Sequence, residues 1–174
     1  MARDADAEFT ALVQRQSRFV FKVAYAVLVN SFDAEDVVQE TFLKLYRNHA
    51  WKQADNERAY LARVAWRVAV DHKRRSAASP AAAADPSTLD VVASEHPGPH
   101  EALSQANQQA TVHVLIDSLA EELRVPLVLS AFDELNSREI GKVLGIPEGT
   151  VRTRLQKARQ ILRLKLEATE KNYA

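Results

Sequence analysis

The feature that most constrains the fold is residues 135–166, whose pattern predicts a helix, a tight turn and a longer second helix. Asn136 followed three residues later by Glu139 is the arrangement of a capping box at a helix start. Gly145 can adopt the left-handed backbone that a turn needs, and Gly141 is small where two helices must cross closely. This spacing predicts a helix-turn-helix.

The second helix of the motif, from Glu148 to Leu166, combines a one-sided apolar stripe with an excess of positive charge. Its apolar positions are Val151, Leu155, Ala158 and Leu162. Residues 138–165 carry eight Lys or Arg against two acidic residues, a local balance of +6 in a chain of net charge zero. On a helix-turn-helix this favours nucleic-acid binding over a merely solvated basic helix.

Helix geometry selects the side chains that would read bases. At about 100° per residue, the face opposite the apolar stripe, with its margin, carries Arg152, Thr153, Gln156 and Lys157. Arg and Lys can bond guanine, and Gln can bond adenine, in the major groove. Three arginines lie better for phosphate contacts, which position a protein without specifying sequence: Arg138, Arg154 and Arg159.

Several functional classes are not expected from this composition. The absence of cysteine excludes disulfides and thiolate metal sites. The five histidines have no metal-ligand spacing, and the sequence contains no phosphate-binding glycine loop or nucleophile motif. We therefore expect that the protein is not an enzyme and that it binds no cofactor and no small-molecule substrate. The acidic N-terminus lacks an apolar run, and no stretch approaches the roughly 20 apolar residues of a membrane span. We expect a cytoplasmic protein without membrane insertion.

Charge and proline content divide the chain into three parts. Residues 76–107 contain no Lys or Arg, four acidic residues and four prolines. Such a segment is typical of a linker, although composition does not distinguish a passive tether from one with its own role. The prediction is an all-α protein with two small helical domains, 1–76 and 108–174, joined by a flexible acidic linker, 77–107.

The N-terminal domain, 1–76, which we call the first lobe, has helical periodicity throughout and no alternating strand pattern. A second helix is predicted to begin at Asp33, with this residue as N-cap and Phe32 and Val37 as a hydrophobic staple. One face of that helix combines polar side chains with an exposed leucine: Asp36, Gln39, Glu40 and Leu43. Such a face is either solvated surface or a docking face for a partner.

A third helix is predicted from about Arg58 to Arg75, and it is basic with aromatic side chains interleaved. The basic and aromatic residues are Trp51, Arg58, Tyr60, Arg63, Trp66, Arg67, Lys73, Arg74 and Arg75. Cations that neutralise a backbone and rings that stack on bases together suit single-stranded nucleic acid. The alternative is that each tryptophan belongs to the core.

These segments resemble the extracytoplasmic-function (ECF, group IV) sigma factors of the sigma-70 family. Residues 33–45 resemble the segment that binds core RNA polymerase in that family, and residues 59–65, with Asp71-His72 and Arg74-Arg75, resemble its promoter-melting helix. Residues 119–124 and 137–159 resemble its C-terminal domain. The resemblance covers both lobes in the family's order.

The resemblance implies a transcription initiation factor that joins core RNA polymerase and directs it to promoters. It implies that Asp36, Gln39, Glu40 and Leu43 dock on the polymerase, within a domain like sigma region 2. The loop from Trp51 to Glu57, including Asn56, and the basic third helix would capture and melt the −10 element. The C-terminal lobe, like sigma region 4, would read the −35 element, and the linker would thread toward the active-site channel.

One departure and one alternative stay open. Trp66-Arg67 stands where the family usually has Arg-Asn, so the resemblance leaves the −10 specificity open. The expected partners are core RNA polymerase and promoter DNA, and many relatives are also held inactive by an anti-sigma factor. The alternative is a helix-turn-helix regulator that does not join the polymerase, which would leave the first lobe without a role.

Overall fold

The computed structural model describes residues 2–79, 101–131 and 135–173, and these residues contain helices and no strand. The first lobe holds α1 (Ala2–Leu28), α2 (Ser31–Asn48), a short 3-10 helix (Ala50–Gln53) and α3 (Glu57–Ala78). The second lobe holds α4 (Glu101–Asp117), α5 (Glu121–Ser130), α6 (Ser137–Leu144) and α7 (Glu148–Tyr173). The all-α prediction is confirmed.

The first lobe is a three-helix bundle in which α1 packs against both α2 and α3. Apolar side chains recur on the inner faces at helical spacing, as in any helix that buries one side. Leu12, Val20, Leu45 and Leu61 have no exposed surface. This bundle fixes the outer faces of α2 and α3, where the candidate docking and −10 residues lie.

The predicted start of α2 is wrong. The helix begins at Ser31, and its N-cap is Asn30, whose side chain accepts a hydrogen bond from the Asp33 N–H at 3.0 Å. Phe32 is 67% exposed, so it forms no staple with the buried Val37. Asn and Asp are comparably good N-caps, so residue type alone could not decide between the two positions.

Both long basic helices extend beyond their predicted ends. Helix α3 begins at Glu57 behind the N-cap Asn56, whose side chain accepts from the Ala59 N–H at 3.0 Å. It continues to Ala78, and α7 continues to Tyr173. Neither extension contains Gly or Pro, which are the residues that most strongly end a helix.

The second lobe is organised around α7, against which α4, α5 and α6 all pack. Leu119, Leu123 and Ala158 form a small buried cluster there. Helix α4 begins at Glu101, inside the segment 77–107 that was predicted as linker, while residues 80–100 lie outside the described part of the chain.

The two lobes contact each other directly. Helix α5 packs on α1, and α6 packs on α3. Buried side chains of the second lobe, among them Val125, Leu129 and Ile140, join the same apolar cluster as the core of the first lobe. The surfaces near these contacts are therefore shaped by both lobes.

Candidate DNA and polymerase interfaces

The helix-turn-helix has the predicted local geometry. The Asn136 side chain accepts from the Glu139 N–H at 3.0 Å, and Glu139 Oε2 accepts from the Asn136 N–H at 2.8 Å, which completes the capping box. Gly145 ends α6 with a φ of 68°, in the left-handed region that favours glycine. The capping and turn predictions are confirmed.

Gly141 allows the close crossing of α6 and the turn before α7. A Cβ at this position would lie 2.7 Å from the carbonyl oxygen of Ile146. The Ile146 N–H donates to the Gly141 carbonyl at 3.0 Å, so the same two residues are also tied by a hydrogen bond. Only glycine fits this approach without a backbone shift.

Helix α7 buries the predicted stripe and presents the opposite face. Val151 and Ala158 have no exposed surface and Leu155 has 6%, while Leu162 is half-buried. The four candidate base-reading residues, Arg152, Thr153, Gln156 and Lys157, are all exposed. The predicted orientation of the helix is therefore the one observed, and the base contacts themselves stay a prediction.

The arginines around this face differ in their exposure and in their ion pairing. Arg152 pairs with Glu148 one turn earlier, and the side chain of Arg138, which is 76% exposed, lies 3.9 Å from the same carboxylate. Arg154 is more shielded, with 30% of its side chain exposed and Glu122 of α5 at 3.9 Å. Arg138 therefore offers its guanidinium more freely than Arg154 does.

A basic groove runs between α6 and α7, with a volume of about 730 Å³. Its lining includes Arg152, Gln156, Arg159, Gln160 and Arg163. Arg163 lies one turn beyond Arg159, and we did not single it out from the sequence as a contact. Because residues four apart lie on the same face of a helix, the position of Arg159 also indicates Arg163.

The candidate docking face of α2 is open to solvent. Asp36 and Gln39 are exposed, and Leu43 is 55% exposed although it is a large apolar residue. Glu40 beside them is held by Arg75 at 3.1 Å and Lys44 at 3.3 Å. Burial alone would raise the pKa of Glu40, but the hydrogen bonds from Arg75 and Lys44 outweigh it and lower the pKa below its ordinary value.

The aromatic residues near α3 are largely packed inside. Trp51 is 7% exposed and lies against Phe9, with ring centroids 6.3 Å apart. Tyr60 and Trp66 are half-buried against the core. In this conformation the ring of Trp51 is not available to stack on a base.

The basic residues of α3 separate into distinct environments. Arg63, Arg67 and Arg74 are exposed, and their positions fall within about 40° on the helix, so they form one stripe. Arg75 turns instead to Glu40 of α2. The Arg58 guanidinium lies 5.4 Å from the centre of the Phe19 ring. The structure therefore does not bring all the predicted −10 residues onto one surface.

Two predicted −10 residues contact the second lobe. The Asn56 Nδ2 donates to Glu139 Oε1 at 2.8 Å, and Lys73 pairs with Glu121. Their lobe-to-lobe pairing was not visible in the sequence, because the partners are separated by 83 and 48 residues.

Arg124 is a structural residue whose role we did not predict from the sequence. It is only 7% exposed, and its Nε donates to the Ala26 carbonyl at 2.7 Å. Its Nη1 donates to the carbonyls of Leu119 at 2.5 Å and Asp117 at 3.2 Å. Arginine near a helix C-terminus stabilises carbonyls that lack an intrahelical partner, which is the position of Ala26 in α1.

Comparison with known proteins identifies the family. Residues 12–79 match sigma-70 region 2, and residues 109–162 match sigma-70 region 4. The ECF RNA polymerase sigma factor SigE of Mycolicibacterium smegmatis is 34% identical over 87% of this chain, which spans 59% of that protein's length. The ECF RNA polymerase sigma-E factor of Escherichia coli K12 is 30% identical, with 86% of this chain and 83% of that protein covered. The chain belongs to the ECF sigma factors of the sigma-70 family.

A solved structure supports the fold independently. The sigma factor RpoE of Bartonella quintana, crystallised with the anti-sigma factor NepR, superposes with a TM-score of 0.66 at 16% identity. The match covers 92% of this chain and 97% of that chain. Within the described residues of the present protein, no helix is both long and apolar enough to cross a membrane.

Proposed function

We propose that this chain is a group IV factor that binds core RNA polymerase and directs it to promoters through −10 and −35 elements. The observation that carries the proposal is the outer face of α7, where Arg152, Gln156 and Lys157 are exposed opposite the buried Val151, Leu155 and Ala158. A helix-turn-helix that presents such a face can enter the major groove.

At the −35 element, α7 reads bases and its flanks hold the backbone. Arg152, Gln156 and Lys157 can offer hydrogen bonds to base edges, with Thr153 beside them. Arg138 and Arg159 neutralise phosphates, and Arg163 extends that contact by one helical turn. Arg154, being shielded by Glu122, contributes less to phosphate binding than Arg138, Arg159 and Arg163 do.

At the polymerase, the exposed face of α2 is the docking surface. Leu43 provides an apolar centre, and Asp36 and Gln39 provide the polar rim around it. This combination is typical of protein interfaces, in which a few central side chains supply most of the binding energy. Glu40 is already paired with Arg75 and Lys44, so its main contribution is to fix the shape of this face.

At the −10 element, the stripe of Arg63, Arg67 and Arg74 attracts the single-stranded backbone. Asn56, at the start of α3, contacts an unstacked base once its Nδ2 is released from Glu139, and Lys73 adds a further cation once it is released from Glu121. Trp51 supports the loop from within the core, while the half-buried Tyr60 and Trp66 border the stripe. Arg58 and Arg75 hold the lobe together through Phe19 and Glu40.

The partners follow from this proposal. Core RNA polymerase and promoter DNA are the primary ones, and the cytoplasm is the compartment in which the chain meets both. An anti-sigma protein is a further proposed partner, because the similar RpoE of Bartonella quintana was solved with one.

Run-off transcription tests the proposed function. Core polymerase from the source organism is mixed with this chain and templates that include the region upstream of its own gene. We expect discrete transcripts that require both proteins. A chain that shifts duplex DNA by itself, fails to associate with core polymerase and gives no transcript would instead be a helix-turn-helix regulator.

A further inference from the structure

Phe32 is a large apolar side chain to which the fold of the chain gives no packing role. Its exposed fraction, 67%, is the highest among the large apolar side chains of the described residues. Ala34 and Val37, which follow it in α2, are fully buried, so the inner face of the helix is complete without it. A single exposed apolar residue needs no explanation, but one that continues a binding surface indicates a contact.

The turn before α2 holds Phe32 in a defined place. Val29 follows α1 with a φ of 49°, a left-handed conformation that β-branched residues rarely adopt, and its N–H donates to the Tyr25 carbonyl at 2.8 Å. Asn30 then caps α2 by accepting from the Asp33 N–H at 3.0 Å. Because Phe32 is presented by a hydrogen-bonded turn and not by a frayed end, less conformational entropy is lost when it binds.

Phe32 lies in line with the proposed docking face of α2. At about 100° per residue, Asp36, Gln39 and Leu43 all fall within about 40° of it on the helix. All of these side chains are exposed. Leu43 follows 11 residues later, which corresponds to about 16 Å along the helix axis. The face defined by these residues therefore has a large apolar side chain at each end and polar side chains between them.

The two flanks of α2 leave this line open. On one side Asp33 turns toward α3, where Nε2 of His72 lies 3.3 Å from its carboxylate. On the other side, Glu35 and Val38 line a groove of about 370 Å³ against α1. Phe32 lies between these flanks on the helix surface, so a partner that contacts Asp36 and Leu43 can also reach it.

The charges around Phe32 indicate the chemistry of its partner. Glu35 and Asp36, one turn later, are both exposed and acidic. The sequence contains no Lys or Arg from residue 23 to residue 43. Because interfaces pair surfaces of opposite sign, the complementary surface is an apolar pocket with basic side chains at its border.

We propose that Phe32 is a second apolar anchor for core RNA polymerase, seated in an apolar pocket that is bordered by basic side chains and lies about 16 Å from the Leu43 contact. This proposal rests on the proposed function, which places polymerase docking on α2. The polymerase is the occupant because Phe32 continues the docking face of the same helix. Two separated anchors fix the direction of α2 on its partner as well as its position.

Truncation of the ring tests the proposal with the full chain and core polymerase from the source organism. Phe32→Ala should weaken the affinity about tenfold, since the exposed part of the ring would no longer leave water on binding. Its melting temperature should match that of the wild type, because the ring is exposed. The matched control is Leu164→Ala, which truncates a side chain that is 59% exposed on α7, and it should keep the affinity within about twofold.

Two further measurements identify the contact as apolar. Phe32→Leu keeps a large apolar side chain and should bind within about threefold of the wild type. The loss caused by Phe32→Ala should persist as the salt concentration is raised, whereas the loss caused by Asp36→Ala should shrink, because salt screens charges and not apolar contacts.

The outcomes separate this proposal from the proposed function. Wild-type affinity for Phe32→Ala together with a loss for Leu43→Glu would overturn the second anchor and leave the docking face of α2 in place. Wild-type affinity for Leu43→Glu and Asp36→Arg would instead contradict docking through α2. An equal loss for Leu164→Ala, or a lowered melting temperature for Phe32→Ala, would show a general or structural effect and would also overturn the second anchor.

Discussion

The two proposed DNA surfaces of this chain are built in different ways. In the helix-turn-helix, Asn136 caps α6 in a capping box with Glu139 three positions later, and Gly141 lies against Ile146 five positions later. At the start of α3, Asn56 and Lys73 take partners from the other lobe. The first surface is therefore determined locally and left open, while the second depends on the arrangement of the whole chain.

This difference has a functional consequence. An open surface can be changed at little cost in stability, because its side chains interact mainly with water. A surface that is shared between lobes cannot be changed without a cost in stability, since its side chains also hold the fold together. Substitutions on the exposed faces of α2 and α7 should therefore change binding without changing stability. Substitutions at the start of α3 should change both.

The largest expected effect is on polymerase binding. Leu43→Glu or Asp36→Arg should weaken the affinity for core polymerase by several kcal/mol, on the order of 2–4, because hot spots concentrate binding energy. Helix content and thermal stability should stay unchanged, since both side chains are exposed. Fluorescence anisotropy with labelled chain and core polymerase measures the affinity, and circular dichroism measures the fold.

Leu164→Glu is the matched control for Leu43→Glu, because Leu164 is exposed to a similar extent, 59% against 55%. It should leave core binding near the wild-type value. Wild-type affinity in both α2 variants would show that this face does not dock on the polymerase.

The next effect concerns the local geometry of the helix-turn-helix. Gly141→Ala should lower the free energy of unfolding by about 1–3 kcal/mol, because its Cβ would overlap the backbone oxygen of Ile146. Gly149→Ala is the matched control, since a Cβ there meets nothing within 4 Å. In a helix, Ala is about 1 kcal/mol more favourable than Gly, so this control should be neutral or stabilising. Chemical denaturation distinguishes the two, and equal stability of both variants would contradict the close crossing.

The helix-turn-helix could be predicted from the sequence because its determinants are neighbours in the chain. The capping box and the left-handed Gly145 both follow from residue types within a few positions. The apolar stripe of α7 follows from helical periodicity alone. These signals need no knowledge of tertiary contacts, and the structure confirms them.

The rest could not be predicted, for two physical reasons. The predicted start of α2 is wrong because Asn30 and Asp33 are nearly equal as N-caps, so residue type alone does not decide between them. The partners of Asn56 and Lys73 lie far away in sequence, and no local pattern marks them. Trp51 is likewise a residue type that can stack on bases, but its ring is packed in the core against Phe9.

A smaller expected effect separates base reading from backbone anchoring on the open face of α7. Lys157→Ala should cost about 1–3 kcal/mol and relax the preference at one or two −35 positions. Arg159→Ala should weaken binding to all sequences and reduce the salt slope by about one unit. Holoenzyme binding to a library of −35 variants measures both. If Lys157→Ala weakens every sequence equally while Arg159→Ala alters preference, the helix enters the groove in a different orientation.

The smallest expected effect lies at the start of α3, where Glu57 ties this helix to α1. Its carboxylate accepts hydrogen bonds from Arg15 at 2.6 Å and Gln16 at 2.8 Å. Burial alone would raise the pKa of Glu57, but the hydrogen bonds from Arg15 and Gln16 outweigh it and hold the pKa below its ordinary value of 4.5. An acid with a lowered pKa contributes stability above its unfolded pKa, and this contribution is lost as the pH falls through its folded pKa.

Glu57→Gln should therefore lower the free energy of unfolding by about 1 kcal/mol at neutral pH, a modest value because Arg15 is partly solvated. Below the ordinary pKa of 4.5, the two unfolding curves should converge, since Glu57 is then progressively neutral in the wild-type chain as well. Urea denaturation across this pH range measures the difference. Because Asn56 is the adjacent residue, Glu57→Gln should also alter −10 binding. A loss of −10 binding without a change in stability would contradict this coupling and show that the α3 surface is as open as that of α7.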